Sequence, residues 1–292
     1  MKRGFLLVTL ALLTTGALRL AANEVGMMHP PKTIVAGTGF SIPTSGDGEA
    51  ALYIVGPAQV IRRNIKLGET VTFAASDLVN AGHYSVSIVS GSFSQSADMD
   101  VLSAPQAASI SLLAKPSRLP VDRPQGISGV AYVFDTFRNL ILQNVPVEFQ
   151  LSVLSGAPST QTVETKNGVA WIRMNSGAKA GIAQLQAHVE SVSEKRVLQE
   201  VPSEPCRLKM TAQGAGEKIK LQTDPLRDCS GNAVPDGTVV TFTETYPEGI
   251  ATVDVPLKRG IAQTEMPAHP GAVISVATGV VLGNEIHWGG AR

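Results

Sequence analysis

One strand, turn and strand pattern occurs twice in this chain, and a duplicated unit of that size constrains the fold more than any single residue does. The first copy has Asp135 and Asn139, then Val145-Pro146-Val147-Glu148-Phe149, then Asn167-Gly168-Val169-Ala170, and Gly181 ahead of an alternating run to Val189. The second has Asp228 and Gly231-Asn232, then Val234-Pro235 and Val239-Val240-Thr241-Phe242, then Arg259-Gly260-Ile261-Ala262, and Gly271 ahead of a run to Thr278. Asn232 lies 93 positions beyond Asn139, Phe242 lies 93 beyond Phe149, Gly260 lies 92 beyond Gly168 and Gly271 lies 90 beyond Gly181. The unit is about the length of one β-sandwich, so the sequence predicts an all-β fold of tandem sandwiches.

Period-two patterning supports this. Ala183, Leu185, Ala187 and Val189 alternate with Gln184, Gln186 and His188, and Val145, Val147, Phe149 and Leu151 alternate with Pro146, Glu148 and Gln150. Such strands turn one face to a core and one to water. Asn167-Gly168 is a tight-turn signal, since both residues tolerate positive φ, and is expected to join two antiparallel strands. Upstream, Ala51 to Val55, Val71 to Phe73 and His83 to Val89 read as strands. The step Gly82-His83-Tyr84 resembles the one near the late strands of immunoglobulin-like sandwiches, where a Tyr hydroxyl ties a corner to the backbone. Breaks at Ala104 to Ala108 and at Val201 to Pro205, with Pro202 and Pro205 unable to donate to a central ladder, give sandwiches over residues 23–103, 104–201 and 202–292.

Residues 1–22 read as a secretory signal peptide. Lys2 and Arg3 precede an apolar run from Phe5 to Leu18, with a cut after Ala17 or Ala22. No Cys near the end of that run offers lipid attachment, and no second long apolar run follows, so the mature chain is expected to be exported without a transmembrane segment. Loss of Lys2, Arg3 and Arg19 leaves 21 basic against 24 acidic residues, a net charge of −3. A chain so charged, without a Lys/Arg cluster, lacks the electrostatic footprint that a phosphate backbone requires, which sets nucleic acid aside.

The two cysteines, Cys206 and Cys229, are 23 positions apart and in an exported chain most simply form one disulfide between the first strand of the last sandwich and the loop around Asp228 to Asn232. The rivals are a redox pair, which usually has Cys-x-x-Cys spacing, and a zinc site, which needs more ligands. Asp135 with Asn139, beside Phe134 and Phe137, suits a turn in which side-chain oxygens replace backbone partners, and Asp228 with Asn232 repeats it. One carboxylate and one amide fall short of the six or more oxygens calcium takes. Asp224, Asp228 and Asp236 form a weaker calcium candidate, and Met27-Met28-His29 a soft-metal one. The five histidines, His29, His83, His188, His269 and His287, make no metal-binding pair. There is no Gly-x-Ser-x-Gly elbow or phosphate loop, and Asp98 with Asp100 has no evident pocket. The chain reads as non-enzymatic, with no cofactor.

The order Asp135-x-x-x-Asn139, Val145-Pro146-Val147-x-Phe149, Asn167-Gly168-Val169-Ala170, Ser176-Gly177 and Gly181 resembles the bacterial immunoglobulin-like domain found in tandem in the invasin and intimin adhesins, the Big-1 type. The last repeat is similar through Asp228, Gly231-Asn232-Ala233-Val234-Pro235, Val240-Thr241-Phe242 and Gly260-Ile261-Ala262. The resemblance covers roughly residues 106 to 292, and the first sandwich shares only its general patterning. It implies a secreted, periplasmic or cell-surface stalk whose Asp and Asn residues shape an early loop. A membrane barrel, a lectin-like tip and a long repeat array are missing from this sequence. The expected function is therefore structural or adhesive, through protein partners at the cell envelope and exposed strand edges. A carbohydrate-binding module is the competitor, because Trp171 and Trp288 are possible sugar platforms. A periplasmic assembly or chaperone-like factor is a third reading. Alternation leaves the facing of Trp171 open, since Val169 and Arg173 share its face and disagree about burial.

Overall fold

The computed structural model describes residues 27–289 apart from 92 and 268, so the expected signal peptide lies outside the described residues. Among those described, the chain is all β, and no helix is long and apolar enough to cross a membrane. It divides into two compact units, the first ending at Leu102 and the second beginning at Ser103.

The first unit holds β1 (Met27–Met28), β2 (Thr33–Val35), β3 (Phe40–Ser45), β4 (Glu49–Val55), β5 (Val60–Lys66), β6 (Thr70–Phe73), β7 (Gly82–Ser90) and β8 (Phe93–Leu102). They form a three-stranded sheet, β1-β3-β6, and a five-stranded sheet, β2-β8-β7-β4-β5, in which only β2 and β8 run parallel. The sequence dictates which faces meet. Ala50, Leu52 and Ile54 on β4 turn inward, as do Tyr84, Val86 and Ile88 on β7. The register sets Leu52 opposite Ile88 and Ile54 opposite Val86, so one continuous apolar row lines the interior. The Tyr84 hydroxyl donates to the Asn80 carbonyl at 2.8 Å, the corner that Gly82-His83-Tyr84 suggested. Its ring fills the space beside Gly56, where a Cβ would sit 2.0 Å from it.

The second unit begins with β9 (Ser109–Lys115), β10 (Arg118–Pro120), β11 (Ile127–Phe134), β12 (Pro146–Ser152), β13 (Ser159–Glu164), β14 (Val169–Met174), β15 (Gly181–Val189) and β16 (Val192–Val201). Their sheets, β14-β11-β9 and β10-β16-β15-β12-β13, match the first unit strand for strand, down to the parallel pairing of the short second strand with the last. The first segment is thus a full topological copy, although its residues show little of the repeated motif.

The rest of the unit comprises β17 (Met210–Ala215), β18 (Lys218–Thr223), β19 (Val239–Tyr246), β20 (Gly249–Pro256), β21 (Gln263–Pro267), β22 (Val273–Thr278), β23 (Val281–Leu282) and β24 (Ile286–His287). It keeps the layout, with sheets β17-β18-β21 and β20-β19-β22-β23 and with β24 also on β22. The two sandwiches of this unit have separate cores, each centred on a fully buried Phe of the repeat, Phe149 or Phe242.

The turn at Asn167-Gly168 differs from expectation. Asn167 (φ 51°) and Gly168 (φ 78°) close a tight turn bridged by Lys166 and Val169, and Arg259 (φ 53°) and Gly260 (φ 77°) do the same between Lys258 and Ile261. The flanking strands belong to opposite sheets, however: β13 pairs with β12, whereas β14 pairs with β11. The turn is a crossing between layers. Its carbonyl explains the steering, since Gly168 O accepts from Val133 N and Gly260 O from Leu226 N, drawing the chain to the three-stranded sheet.

Tyr84→Phe removes the corner hydrogen bond while keeping the ring. It should lower the stability of the first unit by about 1–2 kcal/mol, seen in denaturant unfolding of the full chain as an earlier transition for that unit alone. An unchanged first-unit transition would show that the corner is not stabilising.

Candidate functional site

The residues singled out in the sequence converge on the ends of the two sandwiches of the second unit. Asp135 is 1% exposed, and both its oxygens are taken: Oδ1 accepts from Phe137 N (2.9 Å) and Asn139 N (2.8 Å), and Oδ2 from Ala104 N (2.9 Å) and Asn139 Nδ2 (2.9 Å). Asp228, 3% exposed, repeats the set. Its Oδ1 accepts from Ser230 N (3.0 Å) and Asn232 N (2.8 Å), and its Oδ2 from Ser203 N (3.1 Å) and Asn232 Nδ2 (2.8 Å). Each carboxylate thus folds its own turn and grips the segment leading into its sandwich. Burial pushes the Asp228 carboxyl up, but the bonds from Asn232, Ser203 and Ser230 outweigh it and hold its pKa below the usual range. With every oxygen engaged by N–H donors, neither Asp is set up as a calcium ligand. Asp236 likewise accepts from Gly260 N at 3.0 Å.

In the last sandwich the turn also reaches its neighbour. Asn232 Oδ1 accepts from Ala180 N (3.0 Å) and its Nδ2 donates to Ala178 O (2.9 Å), while Lys179 Nζ donates to Ser230 O (2.6 Å) and Ser230 Oγ bonds Asp122. The disulfide joins Cys206 to Cys229. Cys206 lies ahead of β17, where its N–H donates to Arg227 O, so the bridge ties the incoming segment, rather than the first strand, to the turn. Between the sandwiches opens a cleft of about 610 Å³, lined in part by Asp122, Arg123, Glu204, Cys206, Cys229 and Val234.

Glu200 lies at the same end and is a residue the motif search missed. It is 2% exposed. Its Oε1 accepts from Gly177 N at 2.6 Å, and its Oε2 has no hydrogen-bond partner. Burial, aided by the charge of Asp122 and opposed by the Gly177 N–H, raises its pKa, which favours the neutral acid. The signal was present: on β16 Glu200 occupies the same inward phase as Leu198. Glu244 was missed in the same way, in phase with Val240 and Phe242 on β19. Fully buried, it accepts from His269 N (3.1 Å) and meets His269 Nδ1 (3.1 Å), while Tyr246 stacks on that imidazole at 3.9 Å. These contacts pin the loop before β22.

The remaining candidates are dispersed. Asp98 and Asp100 sit on the outer face of β8 around His83, whose Nδ1 is 2.9 Å from Asp100 and Nε2 3.5 Å from Asp98. The Asp100 bond chiefly raises the histidine pKa. Met28 is buried in the core of the first unit, whereas His29 is exposed. Among the described residues no group of three or more His, Cys, Asp or Glu is placed to hold a metal. Trp171 is 55% exposed and Trp288 packs half-buried against the last core.

Strand order, paired sheets and separate cores define a chain of tandem immunoglobulin-like sandwiches. No family model and no curated protein matches it. Among solved structures it is similar to invasin, described as a bacterial integrin-binding protein, with 11% identity and a TM-score of 0.49 over 90% of this chain and 59% of that one. InvD of Yersinia pseudotuberculosis is similar at 11% identity and 0.49, over 93% of this chain and 100% of that one, and the FN1–FN3 domains of chicken CNTN1 at 10% and 0.40, over 90% and 97%. The chain therefore spans 59% of the length of the invasin structure. At scores this low the fold assignment rests on strand order and packing.

Asn232→Ala removes the amide that both closes the turn and reaches Ala178 and Ala180. It should cost the second unit about 2–4 kcal/mol, read as a lower urea midpoint; an unaltered midpoint would show that the joint lies elsewhere.

The two carboxyls also set opposite pH responses. The Asp228 contribution is complete above the ordinary Asp pKa of 3.8 and is lost as pH falls through its lowered value. The Glu200 contribution is complete below the ordinary 4.5 and is lost as pH rises through its raised value. Glu200→Gln should therefore raise the second-unit midpoint at pH 8 and leave it little changed at pH 4. Equal shifts at both values would refute an ionisation effect.

Proposed function

We propose that this chain is an exported, non-enzymatic structural or adhesion protein that presents tandem immunoglobulin-like sandwiches of the invasin and intimin type for protein contact at the cell envelope, as sandwiches over residues 23–103, 104–201 and 202–292. The observation that carries the reading is the joint within the second unit. There Asn232, Ser230 and Lys179 bond one sandwich to the next, while the buried Asp228 and the disulfide fix the turn that carries Asn232 and Ser230, with every Asp228 oxygen engaged in doing so. A catalytic site would leave such groups turned toward a substrate. The Cys206–Cys229 bridge supports an oxidising compartment, in keeping with the basic and apolar start of the sequence. Contact surfaces are available at exposed apolar side chains such as Ile182 (68%) and Val197 (66%), on neighbouring strands of the five-stranded sheet.

Fractionation of expressing cells should find the mature chain in the envelope or outside the cell, with both cysteines resistant to alkylation until reduced. A photo-crosslinking residue at Ile182 or Val197 should capture a discrete protein partner in intact cells. A cytoplasmic chain with free thiols would sink the export reading, and the absence of any protein adduct at either position would sink the contact reading.

A further inference from the structure

The three-stranded sheet β14-β11-β9 turns a face to solvent that the joint does not involve. Its register sets Val130 between Trp171 and Leu113, and Ser128 between Arg173 and Lys115. Alternation puts all six on the outward side, because Ala131 and Gly129 on β11, Ile172 on β14 and Leu112 on β9 are buried. Trp171 is 55% exposed and Leu113 48%. Large apolar groups side by side on an outer sheet face are unfavourable in water unless something covers them.

The chemistry of the face narrows what that is. The Trp171 indole N–H already donates to Ser128 Oγ at 3.0 Å, so the ring leans across β11 with no donor to spare. What it offers a ligand is a π face, which suits the C–H face of a pyranose. The Arg173 guanidinium carbon is 5.8 Å from the centre of that ring, and Lys115 follows on the far side of Ser128. β9, β11 and β14 contain no Asp or Glu. Glu194, which reaches the β9 edge, accepts from Leu112 N at 2.6 Å and pairs with Arg196, and among the described residues neither Arg173 nor Lys115 has an ion-pair partner. Further along the same strands a cleft of about 270 Å³ is lined by Ser109, Ser111, Phe134 and Arg138, adding a third cation and two hydroxyls. From the Ser128 row to Phe134 is six residues of β11, roughly 20 Å, long enough for an oligomer rather than a single ring.

We propose that this face binds an acidic saccharide, with one ring stacked on Trp171, its carboxylate or sulfate taken by Arg173 and Lys115, and the chain running toward Arg138. Charge complementarity selects this occupant. A nucleic acid would require a broader basic surface than three cations on a mature chain of net charge −3 provide. An added β-strand would use a sheet edge, and the outer face has none to give. The site does not depend on the joint, so the protein-contact reading and this one can fail separately.

Titration of the full mature chain with oligogalacturonate and with heparin oligosaccharides, followed by tryptophan fluorescence, tests it, with a neutral cello-oligosaccharide and a single-stranded oligonucleotide as comparators. At least one acidic saccharide should quench the emission saturably, with affinity falling as salt rises, and the neutral one should bind at least tenfold more weakly. Trp171→Ala should abolish the signal and Trp288→Phe should leave it. Arg173→Gln with Lys115→Gln should weaken binding at least tenfold and flatten its salt dependence. Trp171→Phe, which keeps a stacking ring, should retain binding by calorimetry and so guards against loss of fold. No binding of either acidic saccharide at millimolar concentration, quenching that survives Trp171→Ala, or tighter binding of the oligonucleotide would each overturn the proposal.

Discussion

The second unit depends on a buried carboxylate with all its oxygens in use. Burying an ionised Asp is costly unless donors replace the lost water, and Asp135 and Asp228 each collect four N–H bonds from their own turn and from the segment leading in. That geometry is demanding. The Asn four residues on must return both its backbone N–H and its amide to the same carboxylate, and the leading segment must pass within reach of the second oxygen. One side chain therefore sets both where the three-stranded sheet ends and where the sandwich begins.

In the last sandwich this device is extended. Asn232 still closes its turn, but its amide oxygen and nitrogen also reach Ala180 and Ala178 of the preceding sandwich. The disulfide fastens the same leading segment to the same turn at Cys229, the residue next to Ser230 and its bond to Asp122. A covalent link across 23 positions constrains the unfolded chain by about 3 kcal/mol, and here it also removes freedom at the point where the two sandwiches meet. Glu200 at the same end works against it at neutral pH, because the protein offers it one N–H and leaves the other oxygen without a partner.

The parts of this arrangement that are local in sequence were legible, and those that depend on distant pairing were not. Asp228 and Asn232 could be read as a turn because four residues suffice to define one. Their partners Ala178, Lys179 and Ala180 lie some fifty positions away and carry no distinguishing chemistry, since two of the three contacts use only backbone atoms. Phe149 and Phe242 declared themselves through alternation. In contrast, β5 is not legible, because Arg62, Arg63 and Asn64 give it a polar composition, and β8 reads as a strand only around Asp98 and Asp100, although Phe93, Ala97, Met99 and Val101 keep the period along it. Asn167-Gly168 shows the same division. Two positive φ angles follow from the residues, but whether the strands on either side share a sheet is decided by Val133, more than thirty positions earlier.

Alternation is obeyed through most of this chain, and its violations differ in how they are resolved. Glu244 faces inward, yet the His269 backbone and imidazole satisfy it, so the fold itself explains the acid. Glu200 is satisfied only in part, with one oxygen bonded to Gly177 and the other without a partner. Trp171 and Leu113 are violations of the other sign. Within the chain the indole has its hydrogen bond to Ser128 and its contact with Arg173, yet Trp171, Val130 and Leu113 still form an apolar row that leaves much of the indole and the Leu113 side chain in water. Ser128 holds the indole in one orientation, so its π face rather than its N–H is what remains for a partner. Residues that break the local pattern without helping the fold mark where a protein meets something else, and on this face the two uncompensated cations say what charge that partner carries.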